Sequence, residues 1–134
     1  FEEELFQDLC EDICFERQVD VEASSVKAFD DAKEALSQLR DRGYKLVLVS
    51  NLASPYASAL DVCNIREFFD VIVFSFAEGV VKGKTGDHQI YQRAAGRIGT
   101  PLKECLFVGD TVSADYDGPL AAGMQAVHLD RHLR

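Results

Sequence analysis

Long apolar runs are missing from these 134 residues. Nothing approaches the roughly 18 consecutive hydrophobic positions of a membrane span, so no membrane partner is expected. A basic opening is missing too: Phe1 is followed by Glu2, Glu3 and Glu4, the reverse of a secretory leader. No Met stands first, which fits a fragment or a processed form. Positive charge is scarce, with 14 Lys and Arg against 23 Asp and Glu, a net charge of -9. That field repels phosphate backbones and anionic lipid, and argues against nucleic acid as a partner. A phosphorylated small molecule would need local attraction from a lysine or a metal ion. Paired zinc ligands are also lacking. Cys10 and Cys14 stand one helical turn apart, Cys63 and Cys105 are isolated in apolar settings, and no further Cys or His pair completes a site. Reduced, partly buried thiols in a cytoplasmic protein are expected. No repeat, low-complexity tract or linker interrupts the chain.

What is present is the composition of a globular domain, 47% hydrophobic and 28% charged. Phe1, Leu5, Leu9 and Ile13 recur every four residues and predict an amphipathic helix over residues 1–16, whose apolar stripe would suit a homodimer contact. Ser24 or Ser25 can cap a second helix to about Arg42, with Val26, Phe29, Ala32, Ala35, Leu36 and Leu39 on one face and Gly43 as its stop. Strands are predicted over residues 45–50, 69–75, 105–109 and 125–129, the first as an apolar run buried on both faces. Helices are predicted at 56–64, from Asp87 to about Arg97, and at 115–122, the last ended by Gly123. This alternation predicts an α/β fold with a parallel sheet and right-handed crossovers. Chemistry in such sheets sits at the carboxyl ends of strands.

Polar groups collect at those ends. Ser50 and Asn51 follow the first strand and offer a hydroxyl and backbone amides to a phosphoryl oxygen, although such a pair is commonly plain turn chemistry. Gly109 and Asp110 follow the third strand, with Asp115 one helical turn later. Two carboxylates there suit Mg2+, while either could simply cap the next helix. Between them lies a loop with Lys82 and Lys84. Gly83, Lys84 and Thr85 end like a P-loop, but the first glycine of that motif would fall on Glu78. The lysines are either solvated or one of them neutralises a phosphoryl group.

In order and spacing, strand-Ser-Asn, a lysine loop before a helix, and strand-Gly-Asp-x4-Asp resemble the second, third and fourth motifs of the haloacid dehalogenase superfamily. The flanks from Leu36 to Asn51 and from Leu106 to Met124 resemble it as well, and the likeness covers roughly residues 29–130. The resemblance implies a Rossmann-like three-layer core and Mg2+-dependent phosphatase chemistry on a small phosphorylated metabolite. Ser50 would bind a phosphoryl oxygen, with the Asn51 backbone helping. Asp110 would bind the metal, and Asp115 would support the metal or the catalytic lysine. Upstream spacing favours Lys82 as that lysine. The family usually has proline next, whereas Gly83-Lys84-Thr85 looks inserted here, and counting back from Tyr91 brings Lys84 closer.

The family's first motif, Asp-x-Asp after an apolar strand, is absent. Asp20-Val-Glu22 imitates it, but the preceding Phe15–Val19 is too polar for a buried strand. In that family the first strand lies between those ending at Ser50 and Gly109, so its absence would leave two unpaired edges. A preceding segment carrying the nucleophile is therefore expected. Residues 1–24 would be a helical cap remnant and connector, and residues 25–134 the core. The alternatives are a metal-independent 2-haloacid dehalogenase and an inactive binding or interaction module on the same scaffold.

Overall fold

The computed structural model describes residues 22, 24–52 and 56–132. The helix expected over residues 1–16, Cys10, Cys14, Asp20 and most of the expected cap remnant lie outside the described residues. The chain divides into two compact units. One takes in the described residues up to Tyr44 and those between Leu52 and Phe69; the other is Lys45–Leu52 with Phe69–Arg134.

In the first unit, α1 spans Ala32–Asp41. It starts later than its apolar periodicity predicts. Ser25 Oγ bonds back to the Glu22 carbonyl at 2.8 Å instead of capping forward, and residues 26–29 are irregular. A turn at Asp30 and Asp31 precedes the helix, and the Asp31 carbonyl accepts its first bond, from the Ala35 N–H at 3.0 Å. Its end is as predicted. Gly43 takes a φ of 84°, its N–H bonds the Arg40 carbonyl, and the Tyr44 N–H bonds the Leu39 carbonyl, the paired closure that a left-handed residue permits. Arg40 Nη1 then reaches the Glu67 carbonyl at 2.6 Å, tying α1 to a 3-10 turn at Arg66–Phe68. The short α2, Ala59–Val62, replaces the longer helix expected there.

Among its described residues the second unit holds four strands: β1 (Val47–Ser50), β2 (Val71–Phe74), β3 (Leu106–Gly109) and β4 (Gln125–His128). All pair in parallel, β1 with β2 from Val47↔Val71 to Ser50↔Phe74, and β3 with β4 from Leu106↔Gln125 to Gly109↔His128. Asp70 locks the start of the first pair: its carboxylate accepts the Leu46 N–H at 2.7 Å and its own N–H returns to the Leu46 carbonyl at 2.8 Å. Among the described residues no ladder joins β1 to β3, so each has a hydrogen-bonded neighbour on one side. Burial follows from this. β1 was expected to be covered on both faces, yet all four of its residues are half-buried. On β3 and β4, Leu106, Val108 and Val127 stand on one face at 59%, 54% and 48% exposure.

Helices α3 (Ser75–Glu78) and α4 (Gln89–Arg97) lie between β2 and β3. The Asp87 carboxylate accepts the Gln89 N–H at 3.2 Å, and His88 makes the bend between them at a φ of 56°. From α4, Ile90, Tyr91, Ala94 and Ala95 join Val73 and Met124 in the core. Each large apolar side chain there contributes about 1.5–3 kcal/mol. Two arginines of α4, Arg93 and Arg97, close on the carboxylate of Glu78. After β3 the chain makes a π-helical turn, Val112–Asp117, which runs into α5, Gly118–Ala122; Gly123 ends it at a φ of 102°.

Candidate active site

Every candidate side chain named from the sequence lies in the second unit. Ser50 is half-buried at the carboxyl end of β1. Asn51, the next residue, turns its side chain onto the lysine loop. Its Oδ1 accepts the Lys82 N–H at 2.8 Å, and its Nδ2 donates to the Lys82 carbonyl at 3.2 Å. The sequence pointed to the Asn51 backbone; the amide side chain as a two-point brace was not foreseen.

So braced, Lys82 extends Nζ to Asp115 Oδ1 at 2.5 Å. The two side chains are 12% and 6% exposed. Nζ also lies 5.6 Å from the centroid of the Phe107 ring. A charge pair this dry is steadied by further hydrogen bonds to its members, and on the aspartate side Asp115 Oδ2 accepts the Thr111 N–H at 3.0 Å. The π turn delivers Asp115 to that place, its own N–H bonding the Thr111 carbonyl at 2.7 Å. Gly109 makes room. A Cβ there would stand 2.4 Å from the Asp115 carboxyl carbon, nearer than two such atoms can approach.

Lys84 is placed differently. It is 67% exposed, and its Nζ stands 3.7 Å from Asp117 Oδ2. Of the two candidate lysines, the structure brings Lys82 to Asp115 and leaves Lys84 at the surface.

Asp110 follows β3 and is exposed. Thr111 Oγ1 lies 3.5 Å from its Oδ1, and His128 Nε2 lies 3.0 Å from its carbonyl. Among the described residues no three His, Cys, Asp or Glu side chains cluster as a ready-made metal cage. The donor set still fits Mg2+, which takes one or two carboxylates and fills its shell with water and substrate phosphate. Asp110 has the exposure for that role, whereas both oxygens of Asp115 already serve Lys82 and Thr111.

Tyr91 is the other group the sequence did not single out as functional. Fully buried, its Oη accepts the Gly83 N–H at 2.8 Å and donates to the Ala114 carbonyl at 2.6 Å. Burial pushes its ionisation above the usual tyrosine range, against a smaller opposite effect of the Gly83 bond. Burial likewise raises the Cys105 thiol, so it is no activated nucleophile.

A family description, haloacid dehalogenase-like hydrolase, matches residues 2–123. The chain is 34% identical over 113 residues to a glyceraldehyde 3-phosphate phosphatase of Methanopyrus kandleri, covering 84% of this chain and 47% of that protein. It is 27% identical to a ribulose-1,5-bisphosphate 5-phosphatase of Halopiger xanaduensis, over 75% of this chain and 41% of the relative. Among solved structures, a HAD phosphatase from Thermococcus onnurineus superposes with a TM-score of 0.79 at 26% identity, over 90% of this chain and 54% of that one. The chain thus spans less than half of each of these two relatives and about half of the solved structure.

Proposed function

Because the chain belongs to the haloacid dehalogenase-like hydrolases, we propose that the protein carrying it is a Mg2+-dependent phosphatase of a small phosphorylated metabolite, working through an aspartyl-phosphate. The observation that carries this reading is the buried Lys82–Asp115 pair, braced by Asn51 at the strand ends that also bear Ser50 and Asp110. A lysine held in so dry a place is suited to neutralising a bound phosphoryl group.

Each residue then has a task. The Ser50 hydroxyl and the Asn51 backbone N–H donate to phosphoryl oxygens. Lys82 faces the charge that develops on them, and Asp115 keeps the ammonium aimed. Asp110 would hold Mg2+, whose positive charge would complement the phosphoryl oxygens when bound. The attacking carboxylate is assigned to an aspartate outside these 134 residues, because no Asp-x-Asp follows an apolar strand within them. Its oxygen bonds phosphorus as the substrate's ester P–O bond breaks and the alcohol leaves, taking up a proton; water then attacks phosphorus, gives up a proton and displaces the carboxylate, releasing inorganic phosphate. Among the described residues β1 and β3 each have one ladder neighbour, which is consistent with a further strand in the complete protein. On this reading residues 25–134 belong to the catalytic core and residues 1–24 to a cap. A cytoplasmic setting is part of the same proposal; among the described residues no helix is long and apolar enough to cross a membrane.

The test is hydrolysis of an aryl phosphate with and without Mg2+, by these 134 residues and by the complete natural protein. Turnover is expected from the complete protein with Mg2+ and none from the 134 residues. Mg2+-dependent turnover by the 134 residues would overturn the external nucleophile and make Asp20 the first residue to replace.

A further inference from the structure

The lysine loop and the aspartate turn meet at one buried hydroxyl. Gly83, whose N–H donates to Tyr91 Oη at 2.8 Å, directly follows Lys82. Ala114, whose carbonyl accepts from Oη at 2.6 Å, directly precedes Asp115. The tyrosine therefore joins the residue after the lysine to the residue before its carboxylate. A buried tyrosine hydroxyl always needs partners. Here those partners flank the two charged residues, on segments 31 positions apart in the chain, and the bonds run through backbone groups that cannot swing away.

Two further features fit a clamp. Gly118, the first residue of α5, leaves space for it: a Cβ there would stand 2.2 Å from Tyr91 Oη and 2.4 Å from the Gly83 carbonyl oxygen. The Tyr91 ring meets Phe107 edge-on at 5.6 Å between centroids, and Phe107 is the ring near which Lys82 Nζ lies. The clamp also depends on residue 83 having an N–H to give, which a proline there would lack.

We propose that Tyr91 is a positioning residue whose hydroxyl sets the Lys82–Asp115 spacing by holding Gly83 to Ala114. The proposal rests on the reading of Lys82 as the phosphoryl-neutralising group only for its effect on turnover. Its effect on Lys82 itself can be read without turnover.

The experiment compares wild type with Tyr91→Phe in the complete natural protein, by amine acetylation of each lysine resolved by mass spectrometry. Thiol labelling of Cys105 reports in parallel on the core it packs against. Loss of the hydroxyl is expected to speed Lys82 acetylation about tenfold, with Cys105 unchanged, and to lower kcat on an aryl phosphate about tenfold with KM held within about twofold. Gly83→Pro, which deletes the N–H, should also expose Lys82. Gly83→Ala, which keeps the N–H, should leave Lys82 protected. Lys82 acetylation within about twofold of wild type in Tyr91→Phe would overturn the proposal. So would Lys82 and Cys105 becoming reactive together, which marks general loosening. If wild type hydrolyses no phosphate yet Lys82 labelling depends on Tyr91, the phosphatase reading falls and the clamp stands. Turnover with Lys82 indifferent to Tyr91 does the reverse.

Discussion

Gly109 and Asp115 occupy touching space: a methyl group on the glycine would lie 2.4 Å from the carboxyl carbon and Oδ2 of the aspartate. The end of β3 is thus shaped around the carboxylate that holds Lys82. Gly109→Ala must displace either the strand end or Asp115. Overpacking of this kind costs about 1–3 kcal/mol, to be read from chemical unfolding. Turnover by the complete protein is expected to fall further than stability alone explains. An alanine variant with wild-type stability and turnover would show that Asp115 can move aside freely.

Removing one member of the buried pair should hurt more than removing both. Lys82→Met leaves the Asp115 carboxylate buried and uncompensated, a loss of about 3–5 kcal/mol. Adding Asp115→Leu should recover most of it, and a double-mutant cycle measures the coupling. Lys84→Ala, at the surface, should shift stability by no more than about 0.5 kcal/mol. If Lys84→Ala abolished turnover while Lys82→Met in the complete protein retained it, the roles of the two lysines would be exchanged.

Asp110→Asn is expected to leave the fold intact, since the side chain is exposed, and to remove Mg2+-dependent turnover. Calorimetric titration with Mg2+ should show binding lost in the same variant. Halide release from a 2-haloacid without added metal would select the dehalogenase alternative instead.

Glu78 makes a prediction in pH. Its hydrogen bond to Arg93 holds its carboxyl below the usual carboxylate range, and Arg97 adds to this. A depressed folded-state pKa contributes stability above the unfolded value and loses it as pH falls through the folded one. The stability gap between wild type and Glu78→Gln should therefore be constant at neutral pH and close below about pH 4. A gap unchanged at acid pH would mean the bridge contributes nothing through charge.

The strands were legible because their signal is local. Short apolar runs followed by Ser50 or Gly109 mark strand ends whatever packs around them, and Gly43 and Gly123 mark helix stops because a positive φ favours glycine. The start of α1 was not legible. Val26 and Phe29 continue its apolar period, yet the turn at Asp30 and Asp31 interrupts it. In the site, motif order pointed to Lys82 and Asp115. The Asn51 brace and the Tyr91 bonds could not be read, because each joins a side chain to backbone that folding brings near from 8 to 31 positions away.

The exposed apolar side of β3 and β4 bears on handling the chain as a sample. A net charge of -9 ordinarily keeps molecules apart. Leu106, Val108 and Val127, beside a strand edge with no ladder partner among the described residues, give two copies a sticky apolar strip. Preparations of these 134 residues should stay monodisperse when dilute and scatter more light as concentration or salt rises. Substituting Val108 by lysine would then extend the usable concentration range.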